Sequence, residues 1–300
     1  MKIHDNLNLP HLKGLLALSI GNFDGIHLGH QAILKRLKEL APQIAVFTFT
    51  NHPAEVLRGA SISRLTTLAH RLALLEKWGV DHVILATFTH AFAEQSAETF
   101  LRALKMQIPF SHLILGHDAA IGHDRRRDLQ SLSKPLAFAL EYLEPVTLNS
   151  QIVSSSAIRK HILAGELKQA SALLGRPYSI FATVEPGQGK GREIGFHTAN
   201  LPVNGLALPP LGVYAVEVHL GNERLPAVAN LGHAPTLHTD RPAYLEVHLI
   251  NDQRDLYGKQ LDVVFLKYIR PEKQFANRAE LQAQIAQDIL SATATPLLGA

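Results

Sequence analysis

One stretch of the chain is dense in groups that handle phosphate: Gly21-Asn22-Phe23-Asp24-Gly25-Ile26-His27-Leu28-Gly29-His30. It follows an apolar run and opens an amphipathic one, as a strand–turn–helix junction does. His27 and His30 are three apart and share one helix face. A helix start gathers unpaired amides and the positive end of the dipole, so an anion is stabilised there. Two imidazoles donate hydrogen bonds to a phosphate that gains charge during displacement. Gly29 between them lets a ligand approach the backbone closely. A histidine pair also packs for structure alone, or binds metal, although no nearby carboxylate completes a ligand set.

Two further stretches carry similar chemistry. Val153-Ser154-Ser155-Ser156-Ala157-Ile158-Arg159 puts hydroxyls and free amides at a helix start, with an arginine one turn in. That arrangement is a second phosphate cradle or an ordinary N-cap. Gly187-Gln188-Gly189-Lys190-Gly191-Arg192-Glu193-Ile194-Gly195-Phe196-His197-Thr198-Ala199-Asn200 is a glycine-rich loop with cations. It lacks P-loop spacing and no helix pattern follows, so alone it reads as a hairpin connection.

The elements that must position these groups change character along the chain. Apolar runs at 15–20, 44–50, 82–88, 112–115 and 135–140 read as strands covered on both faces. Between them, 30–40, 67–78 and 96–104 read as amphipathic helices, with Gly79 stopping the second and Ser96 capping the third. This alternation predicts an α/β domain with a doubly wound parallel sheet, whose ligands sit at the carboxyl ends of the strands. A helical pair at 155–164 and 166–174 follows, broken by Gly165. Beyond Gly175-Arg176-Pro177 the period becomes two, as in Tyr214/Val216/Val218, Leu245/Val247/Leu249 and Leu261/Val263/Phe265. These predict half-buried antiparallel strands of a small β-barrel or sandwich, closed by an amphipathic helix at 278–290. The boundary falls near Pro177, giving domains 1–177 and 178–300.

Composition limits the function classes. With 46% hydrophobic residues the chain fills real cores, so disorder is excluded. The 29 basic and 26 acidic residues are mixed along the chain, a weak footprint for nucleic acid or membrane. The absence of cysteine removes disulfides, thiolate metal sites and cysteine nucleophiles. The early run Leu15–Ile20 is too short to span a bilayer and lacks the layout of a secretory signal. The expectation is a soluble, cytoplasmic protein with small-molecule partners and neither nucleic acid nor membrane.

The first stretch resembles the HxGH nucleotidyltransferases, and more narrowly the GxFDGxHxGH motif of bacterial bifunctional riboflavin kinase/FAD synthetases. The serine-rich turn ending in Arg159 is similar to that family's second signature, and 187–200 to its flavokinase segment G-x-G-R-G-x-x-L-G-F-P-T-A-N. Gly165 to Tyr178, Gly212-Val213-Tyr214-Ala215, Ala229 to Gly232 with Pro235-Thr236, Leu245 to Leu249 and Leu256 to Lys259 continue the likeness in family order. The resemblance implies an HxGH nucleotidyltransferase-like α/β domain making FAD from FMN and ATP, and a barrel making FMN from riboflavin and ATP. In the first, His27, His30 and Arg159 would be catalytic. Gly21, Asn22, Phe23, Asp24, Gly29, His52, Asp118, Ser154, Ser155 and Ser156 would bind substrates. In the second, Glu246 would be the general base. Gly187, Gly189, Lys190 and Gly191 would cover ATP, and Thr198 and Asn200, both hard oxygen donors, would hold Mg²⁺.

The chain departs from the family at several places. Thr50-Asn51 stand before His52-Pro53 where the family has an acidic residue and a proline. Ala119 and Ile121 replace two aromatics in the Gly116–Gly122 run, giving up stacking area for a planar ligand. His197 replaces a proline, which loosens φ and adds a titratable ring. The Arg125–Arg127 run reads either as a solvated loop or as a contact to the FMN phosphate. The rival readings are a single surviving activity, a non-catalytic flavin- or nucleotide-binding module and, resting only on the basic pI and the Arg125–Arg127 run, a nucleic-acid binder.

Overall fold

The computed structural model describes residues 1–5, 14–59, 61–126, 128–186, 196–233 and 243–298. Two compact units emerge, one formed by 1–62 with 71–155 and the other by 63–70 with 156–300.

The first unit runs β1 (Lys2–Asp5), β2 (Leu16–Ile20), α1 (Leu28–Leu40), β3 (Gln43–Phe49), α2 (Pro53–Arg58), α3 (Leu68–Lys77, beginning in 63–70), β4 (His82–Ala86), α4 (His90–Ala93), α5 (Ala97–Gln107), β5 (Phe110–Gly116), α6 (Gln130–Ser133), β6 (Ala139–Leu143), β7 (Thr147–Leu148) and β8 (Gln151–Ile152). Six strands form one sheet in the order β1-β4-β3-β2-β5-β6, and every pairing is parallel. The chain leaves β2 toward β3 and β4, then returns to β5 on the other side of β2. The switch point therefore lies between the carboxyl ends of β2 and β5, where doubly wound sheets form their crevice. Continuous apolar runs such as Leu16–Leu18 and Ile44–Phe47 are buried on both faces, as a covered parallel sheet requires. Ser96 caps α5, its side chain accepting the Thr99 amide at 3.1 Å. Gly79 follows α3 at φ +69°.

The sixth strand sits later than the sequence suggests, at 139–143 rather than 135–140. Residues 130–137 form α6 and the turn after it: the Leu136 amide reaches the Leu132 carbonyl and Ala137 turns at φ +52°. The short β1, α2, α4, α6, β7 and β8 have no periodic signal long enough to read.

The second unit holds α7 (Ser155–Leu163, beginning one residue earlier), α8 (Leu167–Leu174), β9 (Ser179–Thr183), β10 (Ala199–Pro202), β11 (Gly212–Leu220), β12 (Glu223–His233), β13 (Ala243–Leu249), β14 (Gln260–Arg270) and α9 (Arg278–Thr293). Its sheet order is β10-β13-β12-β11-β14-β9, antiparallel throughout. A bridge between Glu185 and Asn200 brings the two edge strands together, so the sheet is a nearly closed barrel. The alternating residues Tyr214, Val216, Val218, Leu245, Val247, Leu249, Leu261, Val263 and Phe265 are buried, as their period of two predicts. Outside, Ala292 of α9 joins Val213, Ala215, Val228 and Ile250 in a second apolar cluster, with Ile289 packed against it. The Arg270–Asp288 pair anchors this helix at 2.8 Å. Among the described residues no helix is long and apolar enough to cross a membrane.

Candidate functional sites

The turn after β2 is strained and buried. Phe23, Gly25 and Ile26 all have positive φ, at +51°, +85° and +43°. For phenylalanine and a β-branched isoleucine such values are outliers that cost about 1–3 kcal/mol each. Both side chains are at most 1% exposed, so burial in the sheet's core fixes them there. Asn22 is held by its carbonyl, which accepts from Thr48 Oγ1 at 3.2 Å and from Arg71 at 2.6 Å.

His27 is the N-cap of α1, and its Nδ1 accepts the His30 amide at 3.4 Å. That bond places the neutral ring's proton on Nε2, the donor form. The His27 and His30 rings stack with centroids 3.7 Å apart and planes 18° apart. Phe23 meets His30 at 4.8 Å. The His30 pKa is pushed well below 6.5, by burial first, then by His27 and Arg71. Its Nδ1 is buried with no hydrogen-bond partner, an orphan polar atom at a helix start. Gly29 leaves room for the rings: a Cβ there would lie 3.2 Å from Cε1 and Nδ1 of His27. The expected freedom for a ligand to approach Gly29 is thus partly taken up by the histidine.

The second motif meets the first through Ser155. Ser155 Oγ donates to the Asp24 carbonyl at 2.8 Å, and Asp24 is 4% exposed. Ser154 is half-buried and Ser156 exposed. Arg159, in the second unit, donates from Nε to the Ser63 carbonyl.

The remaining expected residues of the first unit lie at other strand ends. His52 follows β3 and caps α2: its Nδ1 accepts the Ala54 amide at 3.1 Å, and its own amide donates to Glu55 at 3.3 Å. Asp118 follows β5 and is exposed. Within the same segment Ile121 is buried in the sheet's apolar core and Ala119 packs at its edge. The aliphatic residue at 121 is therefore a core residue. Gly122 is obligatory, since a Cβ would come within 2.3 Å of the Ala97 amide nitrogen. Arg126 donates to the Asp128 carbonyl at 2.9 Å and to Ser131 at 2.6 Å; Arg125 is exposed and Arg127 lies outside the described residues.

In the second unit, Asn200 on β10 stands directly opposite Glu246 on β13, and Glu246 in turn opposite Asn230 on β12. All three alternate with buried residues, so they line the barrel's outer face. Glu246 is exposed, so the desolvation expected of a general base is not supplied by the protein alone. Thr198 and Asn200 line a cavity of about 390 Å³ together with His197, Asp252, Asp255 and Tyr257. The His197 carbonyl is 2.9 Å from His248 Nδ1, and Phe196 packs edge-on to the His248 ring at 5.2 Å. Gly187, Gly189, Lys190 and Gly191 lie outside the described residues, as do Pro235 and Thr236. Among the described residues no three histidine or acidic groups are placed to hold a metal ion.

Arg71 is the site residue that sequence reasoning missed. In the helical pattern at 67–78 it falls on the face of Leu68, Leu72 and Leu75, a cation among apolar residues, but its partners are carbonyls far away in the chain.

Comparison with known proteins covers almost the whole chain. A family model for FAD synthetase matches residues 11–157, and one for riboflavin kinase matches 174–295. Bifunctional riboflavin kinase/FMN adenylyltransferase from Haemophilus influenzae is 39% identical over 288 residues, 93% of each chain. The Escherichia coli K12 protein of the same description is 39% identical, covering 92% of this chain and 91% of that one. The Listeria monocytogenes protein is 34% identical over 90% of this chain and 89% of its own. A crystal structure described as a macrolide-efflux protein from Streptococcus pneumoniae has a TM-score of 0.83 at 27% identity, covering 98% of this chain and 99% of that one.

Proposed function

Since the chain belongs to the bifunctional riboflavin kinase/FMN adenylyltransferase family, we propose that its two activities divide between residues 1–177 and 178–300, with the histidine turn making FAD and the β10–β13 face making FMN. The protein is a riboflavin kinase and FMN adenylyltransferase, an enzyme of FAD biosynthesis.

For adenylyl transfer, an FMN phosphate oxygen attacks the α-phosphorus of ATP. The bond from that phosphorus to the bridging oxygen breaks, and pyrophosphate leaves. A phosphate is already an anionic nucleophile, so no strong base is required. Positioning and charge stabilisation carry the step. His27 donates from Nε2–H, His30 from its neutral ring, and the turn's amides with the Ser154 and Ser156 hydroxyls complete the donor set, while Ser155 gives its proton to the Asp24 carbonyl and holds the turn. Arg159 supplies the positive charge, Gly21 to Asp24 shape the floor, and His52 and Asp118 border the substrates. The observation that carries this reading is the stacked histidine pair at the start of α1, beside the sheet's switch point, with a buried, unpartnered His30 Nδ1.

For phosphorylation, Glu246 takes the proton of the riboflavin 5′-hydroxyl, and that oxygen attacks the γ-phosphorus of ATP, releasing ADP. Thr198 and Asn200 offer hard oxygens on a cavity wall that also carries Asp252 and Asp255. This donor set fits Mg²⁺, which takes one or two protein oxygens and shares the rest of its shell with phosphates and water. The ion would neutralise charge on the transferred group. Substrate covering Glu246 supplies the desolvation that the bare outer face lacks.

The partners this reading requires are riboflavin, FMN and ATP, met in the cytoplasm. Purified protein incubated with riboflavin, ATP and magnesium should yield FMN first and FAD after it. FMN without FAD would leave only the barrel active, the reverse only the α/β domain, and no turnover would leave a binding module.

A further inference from the structure

Arg71 lies on α3, outside every sequence motif, and is only 7% exposed. Nη1 donates to the Asn22 carbonyl at 2.6 Å and to the Asn22 side-chain oxygen at 3.2 Å. Nη2 donates to the Phe49 carbonyl. A guanidinium presents its donors in a rigid planar fork. One group therefore sets the distance between the end of β3 and the first residues of the histidine turn. Holding both oxygens of Asn22 also fixes that residue's side-chain torsion. The next residue is Phe23, at φ +51°, whose ring lies 4.8 Å from His30. His30 in turn stacks on His27. The brace thus runs through consecutive contacts from Arg71 to the imidazole pair.

We propose that Arg71 is a positioning residue for adenylyl transfer, holding the His27/His30 pair in its working geometry through Asn22 and Phe23. The proposal rests on reading the histidine turn as the adenylyl-transfer site. Arg71 touches no reacting atom and acts through the turn. Its charge has a second consequence: after burial and His27, it too opposes protonation of His30. A lysine at 71 keeps the charge but replaces the fork by a point donor. A glutamine loses both.

The test uses the full chain with Arg71→Gln, Arg71→Lys and His30→Ala, measuring FAD formation from FMN and FMN formation from riboflavin. Arg71→Gln should lower kcat for FAD about 10²-fold, the range for a lost preorganised donor. KM for FMN and ATP should stay within threefold, showing that the site still forms, and FMN formation within twofold. The acid limb of its pH profile should move to higher pH, because His30 regains a pKa nearer 6.5. Arg71→Lys should lose about tenfold in kcat with the acid limb unmoved, a partial rescue that separates grip from charge. FAD formation within twofold of the parent in Arg71→Gln would overturn the inference, provided His30→Ala is inactive. A raised KM at unchanged kcat would also overturn it, making Arg71 a binding residue. If His30→Ala itself still makes FAD, the reading of the turn fails first and Arg71's role goes with it.

Discussion

The turn after β2 and the outer face of β10–β13, the two proposed phosphate sites, are built in opposite ways. In the turn, Phe23 and Ile26 are buried at strained positive φ, and Thr48, Arg71 and Ser155 hold its carbonyls. The imidazoles are stacked on one another, with centroids 3.7 Å apart. On the barrel face, Glu246 and Thr198 are exposed and Asn200 is half-buried. Strand register sets Glu246 against Asn200. The first region is held by packing and hydrogen bonds, whereas the second presents its groups from an open strand face. Small steric changes should therefore damage the first, whereas only loss of the functional group should damage the second.

The largest expected effect belongs to the barrel. Glu246→Gln keeps shape and removes the base, and a positioned general base contributes about 10²–10⁴-fold. FMN formation should fall by that range while FAD formation from supplied FMN stays within twofold. A kinase loss under fivefold would remove Glu246 as base.

Next comes His30→Ala, which should lower FAD formation about 10²–10³-fold and spare FMN formation. Loss of both activities in a still-folded variant would contradict the division between domains. The parent's pH profile tests the same residue. A depressed pKa keeps His30 neutral above pH 6.5 and for a span below it, so FAD formation should show no His30-linked fall on acidification through 6.5. The same sign holds for stability. The unfolded chain takes up this proton near pH 6.5 and the folded chain resists it, so the stabilisation is complete above 6.5 and declines as pH drops further. A decline in FAD formation centred at 6.5 that His30→Gln abolishes would show the ring titrating normally.

Gly29→Ala sharpens the contrast with a single methyl. The new Cβ would sit 3.2 Å from the His27 ring, so the ring must give by a few tenths of an ångström. About a tenfold loss of FAD formation is expected, equivalent to ~1.4 kcal/mol of barrier. Thr198→Ser, which keeps the oxygen, should change kinase activity less than that. Reversal of this order would mean that the barrel face is the more preorganised of the two.

Much of this was legible in the residues. Apolar runs and helical spacing place β2 to β5 and α1, α3 and α5, and the change of period beyond Pro177 marks the barrel strands. The histidine turn announces itself because its chemistry is compressed into ten consecutive residues, Gly21 to His30. What was hidden depends on distant backbone. Arg71 grips carbonyls at positions 22 and 49, which no local pattern encodes. β1 is a four-residue polar edge strand, recognised only by its pairing with β4. His52 heads a His-Pro-Ala-Glu capping box, a start signal legible in hindsight from Pro53 and Glu55. The exposure of Glu246 follows from strand alternation with Leu245 and Val247, and family likeness alone does not reveal it.

The smallest effect concerns His197, where the family's proline is missing. His197 is exposed, outside any helix or strand, on the wall of the cavity that holds Thr198 and Asn200. Proline there would keep the carbonyl that faces His248 and would restrict Phe196 to extended backbone. Its fixed φ removes backbone freedom at this position, an effect of about 0.4–1 kcal/mol where the native backbone accepts it. At ~1.4 kcal/mol per decade, that is a factor of about two to five in the ordered population. His197→Pro should therefore raise kinase kcat/KM for ATP by about two- to fivefold and leave FAD formation unchanged. A kinase that is unchanged or slower would mean that loop order does not limit it. The barrel face would then be completed by its substrates alone, with its own loop contributing no restraint.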